Sequence, residues 1–210
     1  AAADGKLTDQ QKSHALEQAT ASARGLRRFD IAERMTARIP IDAVKKAVQM
    51  QTLLDQGKAP QVLEQFGSED LSKWPFWKRG DGYLARGRAY AITKVGKQAE
   101  ADLTNALEFT SDPRIRDTIL VLSAQNYENN FKDDEKALES YCAIVEGRPR
   151  IGGADEYAAL QGIARILTRR GQFDEAIKTL ERADLTNLQG VWKENMQKSL
   201  NAVNEARKAR

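Results

Sequence analysis

The chain carries one cysteine and one histidine in 210 residues, and that scarcity removes whole classes of chemistry. Cys142 has no second thiol with which to form an intrachain disulfide or a thiolate cage for zinc. It lies in Ser140-Tyr141-Cys142-Ala143-Ile144-Val145, an apolar helical stretch that predicts a buried, inert thiol. His14 has no serine or cysteine motif beside it, so a nucleophile–histidine triad lacks its parts. No run approaches the roughly 18 apolar residues needed to cross a bilayer. The charge excess is only +3, from 33 Lys and Arg against 30 Asp and Glu. That is far from a nucleic-acid footprint unless the cations gather on one face. Arg207, Lys208 and Arg210 read as a helix end favoured by the dipole.

A phosphate-cradling loop is missing too. Val95-Gly96-Lys97-Gln98 has glycine and lysine, but Ala91 stands where the first glycine belongs and Gln98 replaces serine or threonine. The sequence therefore implies no cofactor and no metal, and it predicts a protein that is not an enzyme. Carboxylates are plentiful, as in Asp133-Asp134-Glu135, which resembles a helix first turn. An acidic catalytic pair hidden among them is the alternative, because sequence does not show which carboxylates converge. Weak nucleic-acid binding through segregated basic residues is a second alternative.

What is present is a recurrence. Small residues at the centres of amphipathic helices, Ala32, Val62, Ala99, Ala137 and Ala176, return at intervals of 30, 37, 38 and 39 residues. Such spacing predicts an all-α chain built as an α-α superhelix, or solenoid, of about five helical hairpins. Each hairpin is too small to bury its own apolar face. Thr8 followed by Gln11 forms a capping-box pattern that starts a helix running to about Gly25. A second helix spans Phe29 to Ile39-Pro40. The second hairpin covers Asp42–Gln56 and Pro60–Phe66, with Gly57 as a left-handed stop and Gly67 ending it. The third follows Trp74-Pro75-Phe76-Trp77 as a long helix to about Lys94, with Pro75 tolerable only in its first turn and Gly80 and Gly82 weakening its start, and returns over Gln98–Phe109. Asp112-Pro113 opens the fourth, which reaches Asn129 and returns over Asp133–Glu146 to a stop at Gly147 and Pro149. The fifth covers Ala154–Arg170, turns at Gly171 and returns from Phe173 to Ala183. A final helix from about Leu188 to 210 places Trp192, Met196, Leu200 and Val203 on one face, as a cap would.

Residues 8–210 thus read as one domain, and residues 1–7 as a disordered start. The opening Ala1-Ala2-Ala3-Asp4-Gly5-Lys6 has no methionine. A leader cleaved after small residues would leave it so, which favours export or the periplasm, with the cytoplasm as the alternative. Trp74, Phe76 and Trp77 are expected to fill the junction between the second and third hairpins, the other reading being an exposed aromatic patch.

In the third hairpin Tyr83, Gly87, Tyr90, Ala99, Leu103, Ala106 and Leu107, and in the fifth Gly171, Phe173, Ala176, Ile177, Leu180 and Ala183, resemble the tetratricopeptide repeat. Ala164 and Leu167 depart from the family's glycine and tyrosine. The fourth hairpin, with Ala124, Tyr127, Ala137, Tyr141 and Pro149, fits only with one residue inserted in its turn. The resemblance covers roughly residues 75–185, and residues 8–67 are divergent hairpins. It implies a groove lined by first helices that binds a peptide or partner protein. Carried over by position, the partner-binding candidates are Asp81 and Arg88, Gln125 and Glu128, and Gln161, Arg165 and Arg169. The family's lysine–asparagine clamp for a chain-terminal carboxylate is not present. The three arginines would meet acidic side chains as planar forks.

Overall fold

The computed structural model describes residues 7–146, 153–183 and 190–209. Expectations for residues 1–6, for Gly147 and Pro149, and for the helix start at Leu188 fall outside these. The described residues form eleven α-helices and no strand. Among them, no helix is long and apolar enough to cross a membrane. The chain divides into two compact units, residues 1–110 and 111–210, each with its own core.

The first unit holds α1 (Asp9–Gly25), α2 (Phe29–Ala37), α3 (Asp42–Asp55), α4 (Ala59–Phe66), α5 (Phe76–Ile92) and α6 (Gly96–Glu108). A single 3-10 turn, Leu71–Lys73, precedes α5. Each helix packs on the one after it, and the first helices of successive hairpins also touch, α1 on α3 and α3 on α5. The second unit holds α7 (Pro113–Asn126), α8 (Asp134–Val145), α9 (Ala154–Arg169), α10 (Phe173–Leu180) and α11 (Val191–Lys208). It follows the same order, with α7 on α9 and α9 on α11.

The chain's own caps explain the ends. Thr8 accepts the Gln11 amide at 3.2 Å while Gln11 Oε1 accepts the Thr8 amide at 2.9 Å, the reciprocal pattern that satisfies two otherwise orphaned donors. Asp112 and Asp133 cap α7 and α8 one way only, their carboxylates accepting the amides of Arg114 and Lys136. Gly67 ends α4 with a φ of −59°, and α2 stops at Ala37, before Ile39.

The five hairpin turns share one register. Arg27, Gly57, Lys94, Lys132 and Gly171 all have positive φ, between 57° and 77°. Each stands two residues before its second helix begins and five before Ala32, Val62, Ala99, Ala137 or Ala176, every one of which is fully buried. In four turns the next amide bonds a carbonyl five residues back: Arg28 to Ala23, Lys58 to Leu53, Val95 to Tyr90 and Gln172 to Leu167. That bond closes a left-handed helix stop and satisfies carbonyls the helix leaves free. In the fourth turn the Asp133 amide reaches back six residues, to Tyr127. The additional residue is taken up as a π-helical turn, Tyr127–Phe131.

The aromatic junction divides. Trp74 is buried, whereas Phe76 and Trp77 are exposed, Phe76 meeting Phe109 edge-on at 5.4 Å. Gly80 and Gly82 both lie inside α5, and a side chain on Gly82 would strike the ring of Trp74. Close packing, not helix weakness, accounts for the glycine there.

Candidate functional site

In the second unit Glu128 lies in the π turn and is buried. Its side chain is only 4% exposed, and α9 brings two arginines to it. Arg165 donates from Nε and Nη2 to the two carboxylate oxygens at 2.7 and 2.6 Å. Arg169 donates from Nη1 to Glu128 at 2.8 Å and from Nη2 to Asp134 at 2.6 Å. The Tyr141 hydroxyl, from α8, adds a bond at 3.3 Å. Burial pushes the Glu128 carboxyl upward, but the hydrogen bonds and charges of Arg165 and Arg169 outweigh it and bring the group down to about 2. Burial, then the neighbouring carboxylate, holds the Tyr141 phenol well above its ordinary value. Two guanidinium groups on two carboxylates leave no surplus charge, and paired forks of this kind are strong and directional.

A cleft of about 260 Å³ opens beside this cluster, lined from α9 by Gln161, Ala164, Arg165, Thr168 and Arg169 and from α11 by Ser199, Ala202 and Val203. Gln161 donates across it to Ser199 Oγ at 3.0 Å. In the first unit a second cleft, of about 390 Å³, is lined by Gln10, Gln11, Ser13, His14 and Glu17 of α1, Val44 of α3 and Trp77 of α5. Behind Glu17 lies a buried ammonium. Lys78 of α5 is 5% exposed and pairs with both Glu17 and Asp81. Burial opposes its charge, and Asp81 and Glu17 overcome that and raise it. One level further along, Arg24 bonds Asp55 at 3.0 Å, and Arg88 approaches the same carboxylate at 3.9 Å. Burial pulls the Arg24 guanidinium below its usual value. A third cleft, about 210 Å³, lies among α2, α3 and α4 at Glu33, Thr36, Leu53 and Gln65.

Of the residues picked from the sequence, Glu128, Arg165 and Arg169 meet one another, and Gln161 joins the two arginines along one cleft. Asp81 and Arg88 lie on α5 of the other unit, and Gln125 is exposed on α7. The arginine forks are turned onto Glu128 and Asp134 within the unit, so a partner meets only their remaining edges. Sequence reading missed Lys78, Glu17, Asp134 and Tyr141. The three-residue spacing of Lys78 and Asp81 is a signal that was available, since such pairs share a helix face. Glu17 was not recoverable, because it meets Lys78 only after folding across 61 residues.

His14 is exposed, and Cys142 is half-buried with its thiol pushed upward by burial. Among the described residues, no group of three or more His, Cys, Asp or Glu side chains is placed to hold a metal ion. Comparison of the chain with protein-family models, curated proteins and solved structures gives no significant match.

Proposed function

We propose that the chain is a non-catalytic interaction module of tetratricopeptide-like hairpins. Within each unit these stack as an α-solenoid, α11 closing the second, and dock an extended peptide or a partner domain. The observation that carries this reading is the lining of two clefts. One draws only on α1, α3 and α5, the first helices of successive hairpins, and the other only on α9, the first helix of its hairpin, and the closing helix α11. Side-by-side first helices are how a hairpin stack forms a binding groove. The buried carboxylates Asp102 and Glu128 support a structural role for such groups. Each lies in an arginine fork, Arg86 meeting Asp102 at 2.7 and 2.9 Å, and the forks of Arg165 and Arg169 hold Glu128 ionised.

Site-specific photo-crosslinking tests the reading. A photoreactive residue is placed at exposed first-helix positions Gln10 and Gln125, and at exposed second-helix positions Gln61 and Glu139. In the native cell, discrete adducts with another protein are expected from the first pair alone. Adducts of equal yield from both pairs, or from neither, overturn the proposal.

A further inference from the structure

The first-helix face of the first unit is electrically two-ended. At one level, Lys78 is shared between Glu17 and Asp81, so two carboxylates face one ammonium. Each gives Lys78 one oxygen, Oε1 of Glu17 and Oδ2 of Asp81. Among the described residues, neither second oxygen has a hydrogen-bond partner. The half-exposed indole of Trp77 stands at the same level, in the cleft that Glu17 lines. An aromatic face beside surplus negative charge suits an ammonium or guanidinium group.

At the next level the balance reverses. Arg24 and Arg88 share the single carboxylate of Asp55, which also accepts from Gln51 Nε2 at 3.2 Å. Arg88 is the loosely held member, at 3.9 Å and with its side chain 36% exposed.

The two levels are separated alike on both helices. Glu17 to Arg24 on α1 and Asp81 to Arg88 on α5 are each seven residues, a rise of about 10 Å. Because Glu17 pairs with Lys78 while Arg24 and Arg88 meet at Asp55, α1 and α5 run in the same direction and the two dipoles add. An extended chain covers about 10 Å in three residues.

We infer that this face docks an extended segment of a partner protein carrying a basic and an acidic side chain three residues apart. The basic side chain lies against Glu17, Asp81 and Trp77, and the acidic one against Arg88. This rests on the proposed interaction role and adds the partner's charge pattern to it.

Fluorescence anisotropy on the full chain tests the spacing. The probes are labelled, end-blocked glycine–serine octapeptides holding one lysine and one glutamate, adjacent or three apart, in both orders, and one holding lysine at both of the three-apart positions. One order of the three-apart pair is expected to bind about tenfold more tightly than the adjacent pair. A charge switch gives a readout that a structural role would not move. Arg88→Glu is expected to lose that preference and favour a peptide with lysine at both positions, while Asp81→Asn weakens every lysine peptide. Equal binding of all spacings, or an Arg88→Glu chain with unchanged preference, overturns the inference. Crosslinks confined to first helices alongside either result would leave the interaction role standing, so the two proposals fail separately.

Discussion

The ring of Tyr141 fills the space beside Gly162 that any larger residue at that position would occupy. The same ring carries its hydroxyl to Glu128 of the π turn, so a missing side chain on α9 leaves room for a polar group of α8.

Gly162→Ala is therefore expected to destabilise the protein by about 1–3 kcal/mol through overpacking. The helix preference of alanine, worth up to about 1 kcal/mol, acts in the opposite direction. Gly25 ends α1 with open space around it, so Gly25→Ala is expected to be neutral or slightly stabilising. Urea unfolding of both variants decides it, and a stabilised Gly162→Ala protein would disprove the close approach.

Glu128 gives stability a defined dependence on pH. Its folded value, about 2, lies below the ordinary 4.5, so its contribution is complete above pH ~4.5 and is lost as pH falls towards ~2. The shift sets a ceiling of about 3 kcal/mol. Arg165 and Arg169 are 51% and 43% exposed, and solvent screening brings the expected value to about 1–2 kcal/mol. Glu128→Gln should be less stable than the parent by that amount at pH 7, and the gap should close between pH ~4.5 and ~2. A constant gap over that range would show that the charge is not the source.

Helix α1 should open before α3. It buries Ser13, Thr20 and Ala23, whereas α3 of the same unit buries Ala43, Val44, Ala47, Val48, Met50, Thr52 and Leu54. Its ties are largely polar: Glu17 to Lys78, Arg24 to Asp55, and Ser13 Oγ accepting the Ile41 amide at 3.4 Å. Elements with few apolar contacts unfold locally at lower free energy. Hydrogen exchange should show central α1 amides protected at least about tenfold less than those of α3, a difference of about 1.4 kcal/mol. Matching protection in the two helices would mean that they open together.

Helix ends were readable because the signals are local. Thr8 and Gln11, Asp112 before Pro113, and Gly57 and Gly171 each act within a few residues. Three turns use Arg27, Lys94 and Lys132 in the conformation that glycine favours, so composition alone does not locate the left-handed residue there. The π turn was visible only as a misfit of one residue in the fourth hairpin, with nothing in Tyr127-Glu128-Asn129-Asn130-Phe131 to say how it would be absorbed. Candidate residues were placed on helices, but their partners were not. Glu128 with Arg165 and Arg88 with Asp55 are encounters across 37 and 33 residues, and helical periodicity carries no information about which distant groups meet.

Position 27, 57, 94, 132 or 171 keeps the same offset from the helix it introduces, while successive hairpins follow at 30 to 39 residues. Variation in length thereby falls outside the turns, in the helices and the joints between hairpins, except in the fourth, where one swollen turn carries an acidic group. A lineage of such chains can lengthen a joint without disturbing the phase of the next pair, and an experimenter grafting a reporter would find the same latitude at those seams.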